Sequence, residues 1–164
     1  MRHPKNPHWI NVKLIALILM GVFLASCQTS RKALDLETIA TLDIYTERDV
    51  NPDADNRASP VVVKVFKLTD DRRFKRADFL SLYEGADNRL GDNLLGVVTL
   101  KELAPGEVRQ EVIKLPDGTR FIGIMAEFSN YTNAKPLLAL EIIPHSNNKY
   151  EVSLSKASVS RVER

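Results

Sequence analysis

The 164 residues carry 23 Lys and Arg against 21 Asp and Glu, with three histidines and one cysteine. Arg2, Lys5 and Lys13 precede Cys27 with no acidic residue among them, so the rest of the chain is nearly neutral, at 20 against 21. That balance gives no general electrostatic case for binding nucleic acid or anionic lipid, and one cysteine excludes an intramolecular disulfide.

The basic opening runs into an apolar stretch from Leu14 to Leu24 and then into Ala25-Ser26-Cys27. A charged n-region, a short h-region and small residues are the order of a secretory signal. With the cysteine at the cleavage point, the segment resembles a bacterial lipoprotein signal cut between Ser26 and Cys27, with Cys27 lipidated. A retained transmembrane anchor is the competing reading. Its eleven residues would span about 16 Å, against a hydrocarbon core of about 30 Å. Three acyl chains, each burying about 14 methylenes at roughly 0.8 kcal/mol, would make an anchor on the order of 30 kcal/mol. The expected organisation is a signal over 1–26, a lipidated tether over 27–33 and a domain over 34–164.

In the domain, Leu34, Leu36, Ala40, Leu42 and Ile44 alternate with polar residues, which predicts a strand with one buried face. Glu47 to Pro60 has almost no aliphatic side chain beyond Val50 and holds the turn formers Asn51-Pro52-Asp53 and Asp55-Asn56. It predicts a loop longer than a hairpin needs, and loops of that length are usually functional or disordered. Val61 to Leu68 is β-branched and nearly continuous, the pattern of a central strand. Helix is predicted only between Asp70 and Glu84, with Asp78 as cap, Phe79, Leu82 and Tyr83 on one face, and Gly85 as the stop. The preceding Arg72, Arg73, Lys75 and Arg76 form either a docking patch for an acidic partner or a solvated face.

Further strands are predicted over Asn93–Leu100, Val108–Leu115, Arg120–Phe128 and Leu137–Ile143, each ended by a Pro, Gly or Asn turn. Asn147-Asn148 marks a turn beyond Pro144. Tyr150/Val152/Leu154 and Ala157/Val159 form a last pair broken near Ser155-Lys156. Seven or eight strands with regular turns predict an all-β antiparallel sandwich carrying a short helical insertion near 70–85.

No Gly-rich phosphate loop and no His or Cys cluster is present, so neither cofactor nor transition metal is expected. Asp53 and Asp55 lack the Gly and distal Glu of a calcium loop. His145 follows Pro144 in a turn and reads as an exposed loop residue. No catalytic constellation emerges, and the remaining role is that of a tethered binding module with its specificity in loops.

Several segments in order resemble the type VI secretion outer-membrane lipoprotein family of the TssJ, VasD and SciN type. They are the lipobox at Cys27, Asp49-Val50-Asn51-Pro52-Asp53, Arg57 to Leu68, Phe74 to Tyr83, Leu90-Gly91-Asp92, Leu103 to Gly106 and Gly123 to Phe128. Lys135-Pro136, where a tryptophan and a basic residue are expected, and the serine-rich end depart from the pattern. The resemblance implies a transthyretin-like sandwich under the outer membrane that binds the periplasmic C-terminal part of TssM within a complex that includes TssL. It also implies that the loop between the first two strands takes part in that contact. Asn51, Pro52, Asp53 and Arg57 are then the candidate contacts, against the alternative that they only shape the turn. Gln28, where an Asp would retain the protein at the inner membrane, favours sorting to the outer membrane. The alternative function is a lipid-anchored sandwich binding a small ligand or cell-wall glycan, with Tyr131 as the best stacking candidate.

Overall fold

The computed structural model describes residues 36–163. Ser26 and Cys27, and with them the signal and tether, lie outside these residues. Eight strands and two α-helices follow in chain order: β1 (Thr38–Thr46), β2 (Val62–Leu68), α1 (Arg72–Lys75), α2 (Phe79–Leu90), β3 (Leu94–Thr99), β4 (Val108–Leu115), β5 (Phe121–Glu127), β6 (Leu137–Glu141), β7 (Asn147–Ser155) and β8 (Ser158–Arg161). The strands form two four-stranded sheets, ordered β4-β1-β7-β8 and β3-β2-β5-β6.

Alternation decides which side chains meet between the sheets. Ala40, Leu42 and Ile44 of β1 point inward with Val152 and Leu154 of β7, opposite Val63 and Val65 of β2 and Ile122, Ile124 and Ala126 of β5. The predicted first strand begins later than its pattern, at Thr38, and Leu36 before it is exposed. β2 and β5 send apolar side chains to both faces, both of which are covered, although β2 also carries Lys64 and Lys67. Their second face, Phe66 and Leu68 with Met125, packs under the helices against Phe74, Leu82 and Leu90.

One strand pair departs from the antiparallel expectation, since β1 and β7 run parallel with Ile39 opposite Asn147 and Thr46 opposite Leu154. Parallel neighbours need a long crossover, and here all four strands of the other sheet, with β4, lie between them in the chain. β7 accordingly begins at Asn147, where the sequence reads as a turn. Asn148 is buried, donates from Nδ2 to the Ile39, Ser146 and Ile143 carbonyls at 3.2, 3.2 and 3.0 Å, and accepts from the Ile143 N–H at 2.8 Å.

The helical layer also corrects an expectation. Asp78 caps α2, its Oδ1 accepting from the Ser81 N–H at 3.0 Å. Gly85 does not stop the helix. The chain kinks there, at φ −162° and ψ 62°, and continues to Leu90. Burial of Leu90 against the β2–β5 face draws the extra turn onto the sheet, and Gly91 ends it. Tyr83 does not share the buried face of Leu82; it is 53% exposed. Among the described residues no helix is long and apolar enough to cross a membrane.

Candidate protein-binding surface

The loop between β1 and β2 is polar in composition but ordered by the core. Val50 is fully buried within the inter-sheet cluster, and Asn51 beside it is only 5% exposed. Asn51 takes a left-handed backbone, φ 47°, which asparagine tolerates better than most residues. Its N–H donates to the Lys156 carbonyl at 2.6 Å, in the turn between β7 and β8. Its side-chain amide donates to the Pro60 carbonyl and accepts from the Ser129 N–H, both at 2.7 Å. One buried residue, through its backbone N–H and its side chain, thus ties three loops at one end of the sandwich.

Past this anchor the chain closes on itself. Asp53 Oδ1 accepts from the N–H groups of Asp55 and Arg57, both at 2.9 Å, and the Asp53 N–H donates to the Arg57 carbonyl at 2.9 Å. The Arg57 guanidinium reaches Asp53 Oδ2 through Nε and Nη2 and Asp55 Oδ2 through Nη2, each at 2.9 Å. The Arg57 N–H holds the Asp53 carboxyl below the ordinary aspartate range, helped by its guanidinium and by the Asp55 N–H. Both carboxylates turn to the Arg57 guanidinium. The four candidate residues therefore differ in access. Asn51 is enclosed and spent on internal bonds, Pro52 and Asp53 are half-buried, and the Arg57 side chain is 73% exposed.

The loop tied to Asn51 through Ser129 brings Tyr131 to the same end. Its ring stacks on Phe79 of α2 at 5.1 Å between centroids, and Phe79 stacks on Tyr83 at 5.5 Å. Lys64 Nζ lies 4.9 Å from the Tyr83 ring centroid and pairs with Glu127 at 2.7 Å. Tyr131 is 40% exposed, so two tyrosines offer part of their surface to solvent. Nothing local in the sequence links Tyr131 to Phe79; the fold alone stacks them. At the other end of β1, His145 takes φ 54° and its N–H donates to Thr38 Oγ1 at 2.9 Å. Among the described residues no group of three His, Cys, Asp or Glu is placed to hold a metal ion. This end of the molecule offers charge, amide and ring surface, which are means of recognition.

The model of the type VI secretion lipoprotein family (VasD, EvfM, TssJ) matches residues 38–157. The chain belongs to that family. The family is a structural component of the secretion system and not an enzyme family. The T6SS lipoprotein TssJ1 from Pseudomonas aeruginosa superposes with a TM-score of 0.72 at 25% identity, over 78% of this chain and 97% of that one. Lip from Serratia marcescens, described as a membrane-bound component of the type VI secretion system, superposes at 0.70 and 23% identity, over 77% and 98%. A chain of the structure described as the T6SS protein TssM C-terminal domain from EAEC superposes at 0.64 and 21% identity, over 77% and 99%. Comparison with curated protein sequences returns no match.

Proposed function

We propose that this type VI secretion lipoprotein is acylated on Cys27 after cleavage at Ser26, sorted by Gln28 to the periplasmic face of the outer membrane, and binds the periplasmic C-terminal part of TssM. In this reading residues 1–26 are removed, 27–33 form the tether, and TssL completes the complex. The observation that carries it is the loop between β1 and β2, a long connection stiffened from within, with Asp53 and Arg57 displayed at its tip. A pre-organised loop loses little conformational freedom when a partner docks. Asn51 acts as the root of that loop and Arg57 as its most accessible contact. The test is capture of a TssM periplasmic fragment by the full chain in detergent. Arg57→Glu should weaken capture at least about tenfold, on the scale of a lost charged interface contact. Undiminished capture by Arg57→Glu and by a shortened Glu47–Ser59 loop would sink the assignment.

Cell-wall glycan binding has one observation in its favour, the partly exposed rings of Tyr83 and Tyr131. Calorimetry with cell-wall fragments separates it from the TssM reading, because Tyr131→Ala would then abolish the heat of binding while leaving TssM capture intact.

A further inference from the structure

The basic run before α2 does not act as one patch. Lys75 pairs with Asp71 at 2.5 Å and Arg72 with Asp70 at 2.9 Å, which neutralises both. Arg89 of α2 takes their place beside Arg73 and Arg76. Arg73, on α1, donates from Nη1 to the carbonyl of Leu90, the last residue of α2, at 3.1 Å. Arg89, on α2, donates from Nη2 to the carbonyl of Arg76, the residue that ends α1, at 2.8 Å. Each helix has a terminal carbonyl that accepts from an arginine of the other. These bonds fix two guanidiniums in place while using few of the five donors each carries.

Gly91 makes this arrangement possible. Its φ is +56°, and a Cβ there would lie 2.8 Å from Arg73 Nη1, so a side chain would expel the guanidinium. Asp70, Arg72, Arg73, Arg76, Arg89 and Asn93 line a pocket of about 440 Å³, within the usual size of a small-ligand site. The one carboxylate in it, Asp70, is engaged by Arg72, whose hydrogen bonds hold it well ionised. No carboxylate among the described residues makes an ion pair with Arg73, Arg76 or Arg89.

We propose that this pocket binds a phosphate group. Among the described residues, Arg73, Arg76 and Arg89 make no direct ion pair, although the Asp78 charge acts on Arg89 from a distance. They line one polar space; an anion with several oxygens suits it, and the guanidinium fork matches phosphate geometry. A lone carboxylate needs one such fork, and an acidic peptide would need apolar or backbone-pairing surface that this lining lacks. The pocket is separate from the TssM loop and does not depend on that reading.

The experiment is isothermal titration calorimetry on the full chain in detergent, with inorganic phosphate and with glycerol phosphate as a soluble lipid headgroup. Saturable, salt-sensitive binding of either supports the site, and a tenfold preference for glycerol phosphate assigns it to lipid headgroups rather than free phosphate. Arg76→Ala removes a guanidinium while leaving the carbonyl that Arg89 uses, and should weaken binding at least about tenfold. Arg76→Gln should do the same with less change of side-chain volume. Lys149→Ala, on the other sheet, should change nothing. Absence of saturable binding, equal weakening by Lys149→Ala, or Arg76-dependent binding of polyglutamate in preference to phosphate would each overturn the proposal.

Discussion

Asn51 and Gly123 show how much structure a single side chain, or the lack of one, can hold in place. Asn51→Ala would leave the Ser129 N–H and Pro60 carbonyl without their partner and put alanine at a left-handed φ. Unsatisfied buried groups and left-handed strain together amount to about 3 kcal/mol. Urea denaturation should show that loss, with TssM capture falling because the loop has lost its root. Gly123, in the middle of β5, lies against the ring of Phe74, and a Cβ there would come within 2.6 Å of it. Gly123→Ala should destabilise by about 1–3 kcal/mol through overpacking. Adding Phe74→Leu should recover part of that loss, since contacting residues are not additive; simple additivity in a denaturation cycle would count against the contact.

Individual elements were legible to different depths. β2 announced a central strand by its nearly continuous apolar run, and Asp78 announced a helix start, because capping depends on residues three positions apart. Gly85 misled. Its lack of a side chain favours a break, but burial of Leu90 outweighs that preference and turns the break into a kink. The loop between β1 and β2 was visible as a loop, yet its rigidity was not. Asn51 bonds to Ser129 and Lys156, which no short-range pattern connects to it. The Asp53 clasp gives this element a definite response to acid. Because the folded Asp53 carboxyl titrates below its unfolded value, its contribution is complete above the unfolded value. It is lost only as pH falls through the lower folded value. An NMR titration should find the Asp53 side-chain carboxyl carbon unmoved from neutral pH through the ordinary aspartate range and shifting below it. Asp53→Ala should shift the Arg57 amide resonance already at neutral pH, because that N–H has lost its acceptor.

For the molecule as a whole, the two ends of β1 carry separate duties. One end gathers the Asn51-tied loops and the tyrosines stacked on Phe79, while Asn148 ties the turns at the other. The helical layer covers the outer face of β2 and β5 and builds the arginine pocket. With Cys27 acylated, this domain would be held to the membrane by several chains and could resist extraction while gripping a partner. Cys27→Ser should therefore yield a folded protein released from the membrane that still captures TssM but no longer supports secretion. Fractionation and a secretion assay read the two halves of that outcome, and normal secretion by the variant would refute the anchoring role.

Short-range information was enough to predict a sandwich of seven or eight strands, a capped helix and a resemblance to the family whose model the chain matches. Each depends on period-two alternation, on capping within one turn, or on motifs of a few adjacent residues. The long-range encounters came from packing. Asn51 is buried as a tie, Tyr131 stacks above α2, and Arg89 joins Arg73 and Arg76 around one pocket. Their partners are distant in the chain, and the free energy that unites them comes from burying the two apolar faces of the β3-β2-β5-β6 sheet. A linear pattern records which side chains seek burial, but the neighbours they acquire follow from how the buried faces come together.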